Sequence, residues 1–524
     1  MQPHIQPQHR ASQHQQGQSA KTFKPRRSSQ DIQQDIQMEY SFEYRLKSIL
    51  AGLQARAAYQ YGLLAALTVL AAVLRFYKLG QWSFWIDEIY SINRAQIHFQ
   101  DPLVVIQTLP TRLWLPLSLI TTKVALNVFG VTEWSARLAS ALIGIVSVPV
   151  LYVATRKLFG TGVALIVSLL LTMSPWHLYW SQNARFYTSL LLLYTLAALV
   201  FYIGIERDWP LFFVLFYVLF YFALSERFVA VFLLPVCFLY LALLWLLPFG
   251  RPPGLRLRNL FIMAAPIGLI LLFEYTRYLS TGSSITIDVF NDFLGIRVGD
   301  PFRLFLAIVF NLSISIFTLG LVSAAYLLAK RNRAGLFLLL AALLPVLLLV
   351  MLNPFMFTKD RYVFMTLPCW LILAALGIRE LLSHSRGTAK LLALGLAAIL
   401  VAESAGSQLL YYFANNGNRL DWRTAFQTVE MKSRADDVVV AWWPEFGPFY
   451  LDRAIIPWKD VSPESVIEDR KRHWFIVDSE TIWNNARMKE WIEKHGQLIN
   501  LLYLRLPEGN FYIRIYLYDP AAAQ

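Results

Sequence analysis

The feature that most constrains this chain is a succession of apolar runs, each close to a membrane span in length and divided from the next by a short charged loop. The first four are Tyr61–Tyr77, Leu113–Phe129, Leu138–Thr155 and Val163–Trp180. A hydrocarbon core about 30 Å thick needs about 20 apolar residues per helix, and helices satisfy their own backbone groups inside lipid. The sequence therefore reads as a polytopic α-helical membrane protein, in keeping with its 56% hydrophobic content. The net charge of +13 could suggest a nucleic-acid partner. Its Lys and Arg concentrate in short loops and in the N-terminal segment, however, as positive-inside bias requires. Membrane lipids are thus the expected surroundings, with no nucleic acid.

Residues 1–57 open "MQPHIQPQHRASQHQQGQ" and are rich in Gln, Ser and His. They read as a disordered cytoplasmic tail and not as a signal peptide, because no short apolar segment ends at a small-residue cleavage site. The two cysteines, Cys237 and Cys369, sit inside apolar runs and read as core residues, which leaves neither a disulfide framework nor a Cys-based metal site.

Loop charge sets the orientation. If every apolar run crosses, "TRKLFG" with Arg156 and Lys157 falls outside, against the charge rule. If Leu113–Phe129, with its Pro116, Thr121, Thr122, Lys123 and Asn127, lies along the interface instead, the later loops fall into order. "GRPPGLRLR", "KRNRAG" and "RELLSHSRGTAK" then face the cytoplasm beside the basic tail. This gives about eleven spans within residues 58–405, a long first outer loop at 78–136 and a second at 280–303. The N-terminus is cytoplasmic and the C-terminus extracytoplasmic. In a bacterial cell the location would be the plasma (inner) membrane.

Residues 406–524 differ in character. Strand-like runs "DVVVAWW", "HWFIVD", "LINLLYLRL" and "FYIRIYLYD" alternate with helical patterns such as "DWRTAFQTVEMK" and "TIWNNARMKEWIEKH". That alternation indicates a small extracytoplasmic α/β domain. It holds neither a Gly-rich dinucleotide fingerprint nor a phosphate-binding loop, so nothing supports nucleotide binding.

With this topology, Asp87, Glu88, Arg185, Glu226, Lys359 and Arg361 all reach the outer surface. Charged groups at span ends are costly and mark candidate sites. Asp87 and Glu88 follow "WSFWI" directly after the first span; a carboxylate at such a boundary can take a proton from a hydroxyl, and the plainer alternative is a pair of solvated loop acids. Arg185, in "SQNARFYTS" with Tyr187, can grip a phosphate in bidentate fashion or can be an arginine snorkelling at a helix end. Lys359 and Arg361, in "FTKDRYVF", would suit a lipid-linked phosphate. Glu226 is a further site candidate, with a local ion pair to neighbouring Arg227 at a helix end as the plainer alternative. His177, alone among aromatic residues, reads as structural.

Taken in order, the acidic pair after the first span, "EWSARLASALIGIVSVPVLYVATRKLFG", "SPWHLYWSQNARFYTSLLLL", "RYVFMTLP" and "RLDWRTA" resemble the C-type glycosyltransferases that use polyprenyl-phosphate sugars. The similarity, over about residues 60–450, is to the branch of bacterial protein O-mannosyltransferases and the lipid A aminoarabinose transferase. It implies that Asp87 is the catalytic base, that Glu88 is its usual neighbour, that Arg185 lies near the lipid phosphate, and that the first loop carries juxtamembrane helices. Many relatives have a "HPPLYY"-like segment where this chain has "LPTRLWLPLS", with Thr111 and Arg112 in place of the histidine. No cofactor is certain, and a divalent metal ion stays open.

The expected activity is transfer of one sugar, hexose or pentose, from a polyprenyl-phosphate donor to a hydroxyl of an acceptor lipid, glycan or protein, with inversion. Asp87 would act as base, with Glu88, Arg185, Tyr187, Glu226, Lys359 and Arg361 binding substrate. A transporter or flippase, or an oligosaccharide ligase, is the alternative. A transporter would bring charges deep into its spans and visible internal repeats, and neither is found.

Overall fold

The computed structural model describes residues 58–98, 116–282, 299–384, 388–451, 453–479, 485–506 and 509–521. The N-terminal tail, Thr111, Arg112 and most of the 280–303 loop lie outside the described residues. The chain divides into two units, Met1–Gly62 and Leu63–Gln524, and the described part of the first is the opening of helix α1 (Ala58–Phe76).

After α1 come α2 (Ile86–His98), α3 (Leu117–Phe129), α4 (Glu133–Phe159), α5 (Thr161–Met173), α6 (Pro175–Ser181), α7 (Tyr187–Arg207) and α8 (Pro210–Glu226). Then follow α9 (Leu233–Leu246), α10 (Leu257–Thr281), α11 (Pro301–Leu312), α12 (Ile314–Ala329), α13 (Arg333–Leu352), α14 (Leu367–His384) and α15 (Thr388–Phe413). Among the described residues, 8 helices are long and apolar enough to cross a membrane, or up to 10 if each of two bent pairs counts as one span. The protein is a multi-pass membrane protein. Adding α8, an apolar helix of 17 residues, reaches the expected figure of about eleven.

Two local devices shape the part that matters for function. Val163–Trp180, expected as one span, is instead α5 and α6, bent by 61° at Ser174. Pro175 brings no N–H to continue the ladder, and the Ser174 hydroxyl accepts from the His177 N–H at 3.2 Å to start the new helix. Carbonyls released at the break, Leu171 and Thr172, are met by the Arg75 guanidinium at 3.3 and 3.5 Å, and the same group holds His177 Nδ1 at 2.7 Å. The histidine is fully buried and structural, as its setting in the sequence suggested.

Helix α3, with 13 residues, rises about 20 Å, short of a bilayer core. It packs on α2, where Lys123 Nζ donates to the Gln96 carbonyl at 3.3 Å. Both cysteines are buried and free.

The C-terminal part builds a five-stranded sheet from β1 (Val438–Ala441), β2 (Ile456–Pro457), β3 (His473–Asp478), β4 (Gln497–Leu506) and β5 (Gly509–Tyr518), in the order β2-β1-β3-β5-β4. Strand β1 pairs in parallel with β2 and β3, while β5 pairs antiparallel with β3 and β4. Four strands stand where the alternation placed them; the two-residue β2 carries too little pattern to be read. Helix α15 runs on to Phe413, so the boundary expected at 405/406 falls inside a helix.

Strand β3 is buried on both faces, with side chains alternating as the pleat requires. Phe475 and Val477 pack with Trp458, Met488 and Ile492. Trp474 and Ile476 join Phe426 and Trp422 of helix α16 (Trp422–Lys432) together with Phe84, Ile89 and Ile92 of the first loop. The first loop and the C-terminal sheet therefore share one core, and that core fixes α2.

Candidate active site

Helix α2 starts at Ile86 with both acids in its first turn, where they face the positive end of the helix dipole. Glu88 reaches back to the Trp85 N–H at 3.3 Å, the acidic half of a capping box. Its main bond is deeper. Arg137 Nε and Nη2 donate to the two Glu88 oxygens at 2.8 and 2.7 Å, and both side chains are fully buried. The remaining Arg137 donors take the carbonyls of Leu79, Trp82 and Ser83, and Glu88 Oε1 also accepts from the Ala184 N–H at 2.8 Å. Burial alone would push the Glu88 carboxyl up; Arg137 and Arg419 outweigh it and hold the group below its usual value.

One carboxylate thus joins the first loop, α4 and the turn before α7. Expected to bind substrate, Glu88 has its oxygens committed to Arg137, Ala184 and Trp85, and its chemistry is that of a fixed strut. A bidentate, fully hydrogen-bonded ion pair is the form in which buried charges are stable.

The turn held by Glu88 carries Arg185. Ser140 Oγ donates to the Arg185 carbonyl at 3.0 Å, and Gln182 Nε2 spans the carbonyls of Arg75 and Tyr77 at the end of α1 at 3.0 and 2.8 Å. From this support Arg185 Nη1 reaches the Asp87 carbonyl and Ser91 Oγ, both at 2.8 Å, and Nη2 lies 3.6 Å from Asp87 Oδ2. Arg361, in the 3-10 turn Asp360–Thr366 that leads into α14, meets the same Oδ2 at 3.3 Å and lies over the Trp85 ring.

Two guanidinium groups therefore converge on one half-exposed carboxylate, and the Nε groups of both arginines are buried without a partner. Asp360 also bears electrostatically on Arg361, and the paired guanidiniums are arranged so that an anion could be received between them. Tyr187 is buried behind Arg185, its ring tilted by 42° against the Trp180 ring with centroids 3.9 Å apart and next to Phe186.

The other expected contacts stand apart. Glu226 accepts from the Ser118 N–H at 2.9 Å and from Ser118 Oγ at 2.5 Å, so it caps the buried start of α3. Lys359 is exposed and lies over Phe357. Asp360, between Lys359 and Arg361 in sequence, accepts from Asn311 at 2.7 Å.

Three further arginines belong to the site's frame, of which only Arg227 was singled out in the sequence. Arg137 sits within the quoted "EWSARLAS", and a charge inside an apolar helix was itself the signal of a buried partner. Arg227 lies over the Phe186 and Tyr362 rings at the edge of the cation pair. Arg419, almost fully buried, donates to the Gln182 carbonyl at 2.7 Å, with Nε and Nη1 unpartnered. It follows a turn in which Gly417, at φ +62°, packs so close to Trp82 that a Cβ would come within 2.7 Å of the ring. Among the described residues no group of three His, Cys, Asp or Glu could hold a metal ion.

Residues 116–279 match the family model described as dolichyl-phosphate-mannose-protein mannosyltransferase. No curated protein matches the chain in sequence. In structure the chain is similar to ArnT from Cupriavidus metallidurans in the apo state, with TM-score 0.53 and 14% identity over 88% of this chain and 99% of that one. The same protein bound to undecaprenyl phosphate matches with TM-score 0.50 and 14% identity over 86% and 98%. The chain therefore has the fold of ArnT across most of its length, and its residues 116–279 match the dolichyl-phosphate-mannose-protein mannosyltransferase model.

Proposed function

We propose that the protein transfers a sugar from a polyprenyl-phosphate donor to an acceptor hydroxyl on the extracytoplasmic face, with inversion at the anomeric carbon. The observation that carries this reading is the convergence of Arg185 and Arg361 on Asp87. A lipid phosphate is a good leaving group; what it needs is stabilisation of the departing anion, together with a base for the incoming hydroxyl.

Arg185 and Arg361 supply the first. The donor phosphate competes with Asp87 for their guanidinium groups, and their unpartnered Nε donors favour an anion with more acceptor oxygens. As the arginines turn to phosphate, Asp87 loses its counter-charges and becomes the stronger acceptor for the hydroxyl proton. The hydroxyl oxygen then bonds the anomeric carbon from the face opposite the phosphate. The C–O bond to phosphate breaks with its electron pair, and the proton rests on Asp87. Glu88 positions both partners, since the same carboxylate holds α2 and the Arg185 turn. The undecaprenyl phosphate bound by ArnT supports a polyprenyl carrier here. Either of the two folded outer elements, α2 or the C-terminal sheet, can meet the acceptor.

The test is consumption of radiolabelled polyprenyl-phosphate sugars by membranes containing the protein. The wild type releases polyprenyl phosphate and labels an acceptor, and Arg185→Ala slows transfer about 10²–10³-fold, the usual cost of removing one preorganised donor to a developing anion. Failure of the wild type to consume any lipid-linked sugar would refute the class of reaction.

A further inference from the structure

A cleft of 540 Å³ lies between α2, the α3–α4 junction and the C-terminal domain, and the chemistry described so far does not use it. Phe84, Phe449 and Tyr450 give it aromatic walls, Asn93 an amide, and Glu133 and Glu445 carboxylates. Glu133 is already committed, accepting from Tyr450 Oη at 2.8 Å and from Arg423. Glu445 is not: Oε1 accepts from Tyr90 Oη at 3.3 Å, whereas Oε2 is buried and has no partner. An orphaned acceptor oxygen at the edge of a cleft costs about 1–3 kcal/mol unless a donor reaches it.

Helix α2 links the cleft to the candidate active site: Asp87 lies in its first turn, and Asn93 and Gln96 further along it line the cleft. Residues three apart on a helix are surface neighbours, and the row Asp87, Tyr90, Asn93 winds from the carboxylate that meets Arg185 and Arg361 into the cleft wall. Tyr90 makes the middle step and carries the bond to Glu445. Flat apolar rings beside an amide and an acceptor carboxylate suit a ligand with one apolar face and a rim of hydroxyl donors. A pyranose ring has that form. The free carboxylate oxygen also welcomes an ammonium and repels an acid.

We propose that this cleft binds a neutral or amino-bearing saccharide unit of the acceptor, one removed from the unit whose hydroxyl meets Asp87. The acceptor is accordingly a glycan or glycolipid headgroup and not a protein side chain. The word "acceptor" rests on the transferase reading; the saccharide site does not.

The full chain in detergent, applied to an array of neutral, amino-bearing and uronate-bearing oligosaccharides, tests it. Wild type is retained by neutral or amino-bearing glycans and not by uronates. Glu445→Gln, which keeps shape and removes charge, and Phe449→Ala each reduce retention at least tenfold, with the thermal unfolding midpoint of Glu445→Gln unchanged to show that the fold survives. Asp87→Asn retains binding. No retention on any saccharide, or retention indifferent to both cleft variants, overturns the proposal. Glycan binding by a wild type that consumes no lipid-linked sugar sinks the transferase reading alone, and sugar transfer without cleft-dependent binding sinks the saccharide site alone.

Discussion

Asp87 and Glu88 are neighbours in sequence with opposite environments, and the difference is set by what each can reach. Glu88 points into the protein and is neutralised by Arg137, 49 residues away; Asp87 points toward solvent and two arginines. Glu88→Gln keeps the shape but leaves Arg137 buried without its counter-charge, which costs about 3–5 kcal/mol. Thermal unfolding in detergent should show a large drop in midpoint, where an exposed acid would show almost none. The pH dependence has a definite sign. The folded state holds the Glu88 carboxyl below 4.5, so its contribution to stability is complete above about that pH and is lost as pH falls through the folded value. The wild-type midpoint should therefore fall in acid more steeply than that of Glu88→Gln; parallel slopes would remove Glu88 from the account of acid sensitivity. At this scale the sequence revealed the charges that stood out at span ends, Asp87, Arg185 and Arg361. It concealed Arg137 and Arg419, whose partners are brought near only by tertiary folding.

Among the elements, α3 shows why a 13-residue apolar helix need not cross. Its mixed composition argued for an interfacial position, and the structure adds the anchor: Glu226, at the end of α8, accepts from the first turn of α3. Glu226→Ala removes that cap and should cost about 0.5–2 kcal/mol. Hydrogen exchange would show faster opening confined to α3 and its contact with α2, while uniform loss across the spans would mean that Glu226 has a wider role. The bend between α5 and α6 was not legible, because an apolar run reads as continuous until its capping is known; Ser174 followed by Pro175 was the available signal. Strands β1, β3, β4 and β5 were legible from alternation, since β-branched and aromatic residues at period two admit few other folds.

For the molecule as a whole, loop charges gave a topology that puts α2, the Arg185 turn and the C-terminal sheet on the same side. Reporter fusions at Arg156 and Asn183 check this directly: Arg156 should report cytoplasmic and Asn183 extracytoplasmic. Arg156 outside would make α3 a span and reverse the later helices. The shared core of the first loop and the sheet ties the C-terminal domain to the helical part, because α2 takes its position from both. That dependence was invisible in sequence, where residues 84–92 and 422–476 are merely two distant apolar patterns. The central claim, that Asp87 takes the acceptor proton beside a lipid phosphate held by arginines, is tested most directly by comparing wild type and Asp87→Asn in proteoliposomes, measuring polyprenyl-phosphate affinity and sugar transfer together. Loss of a general base costs about 10²–10⁴-fold in rate, and removing the carboxylate that competes for Arg185 and Arg361 leaves phosphate affinity equal or tighter. Full transfer by Asp87→Asn would contradict the assignment.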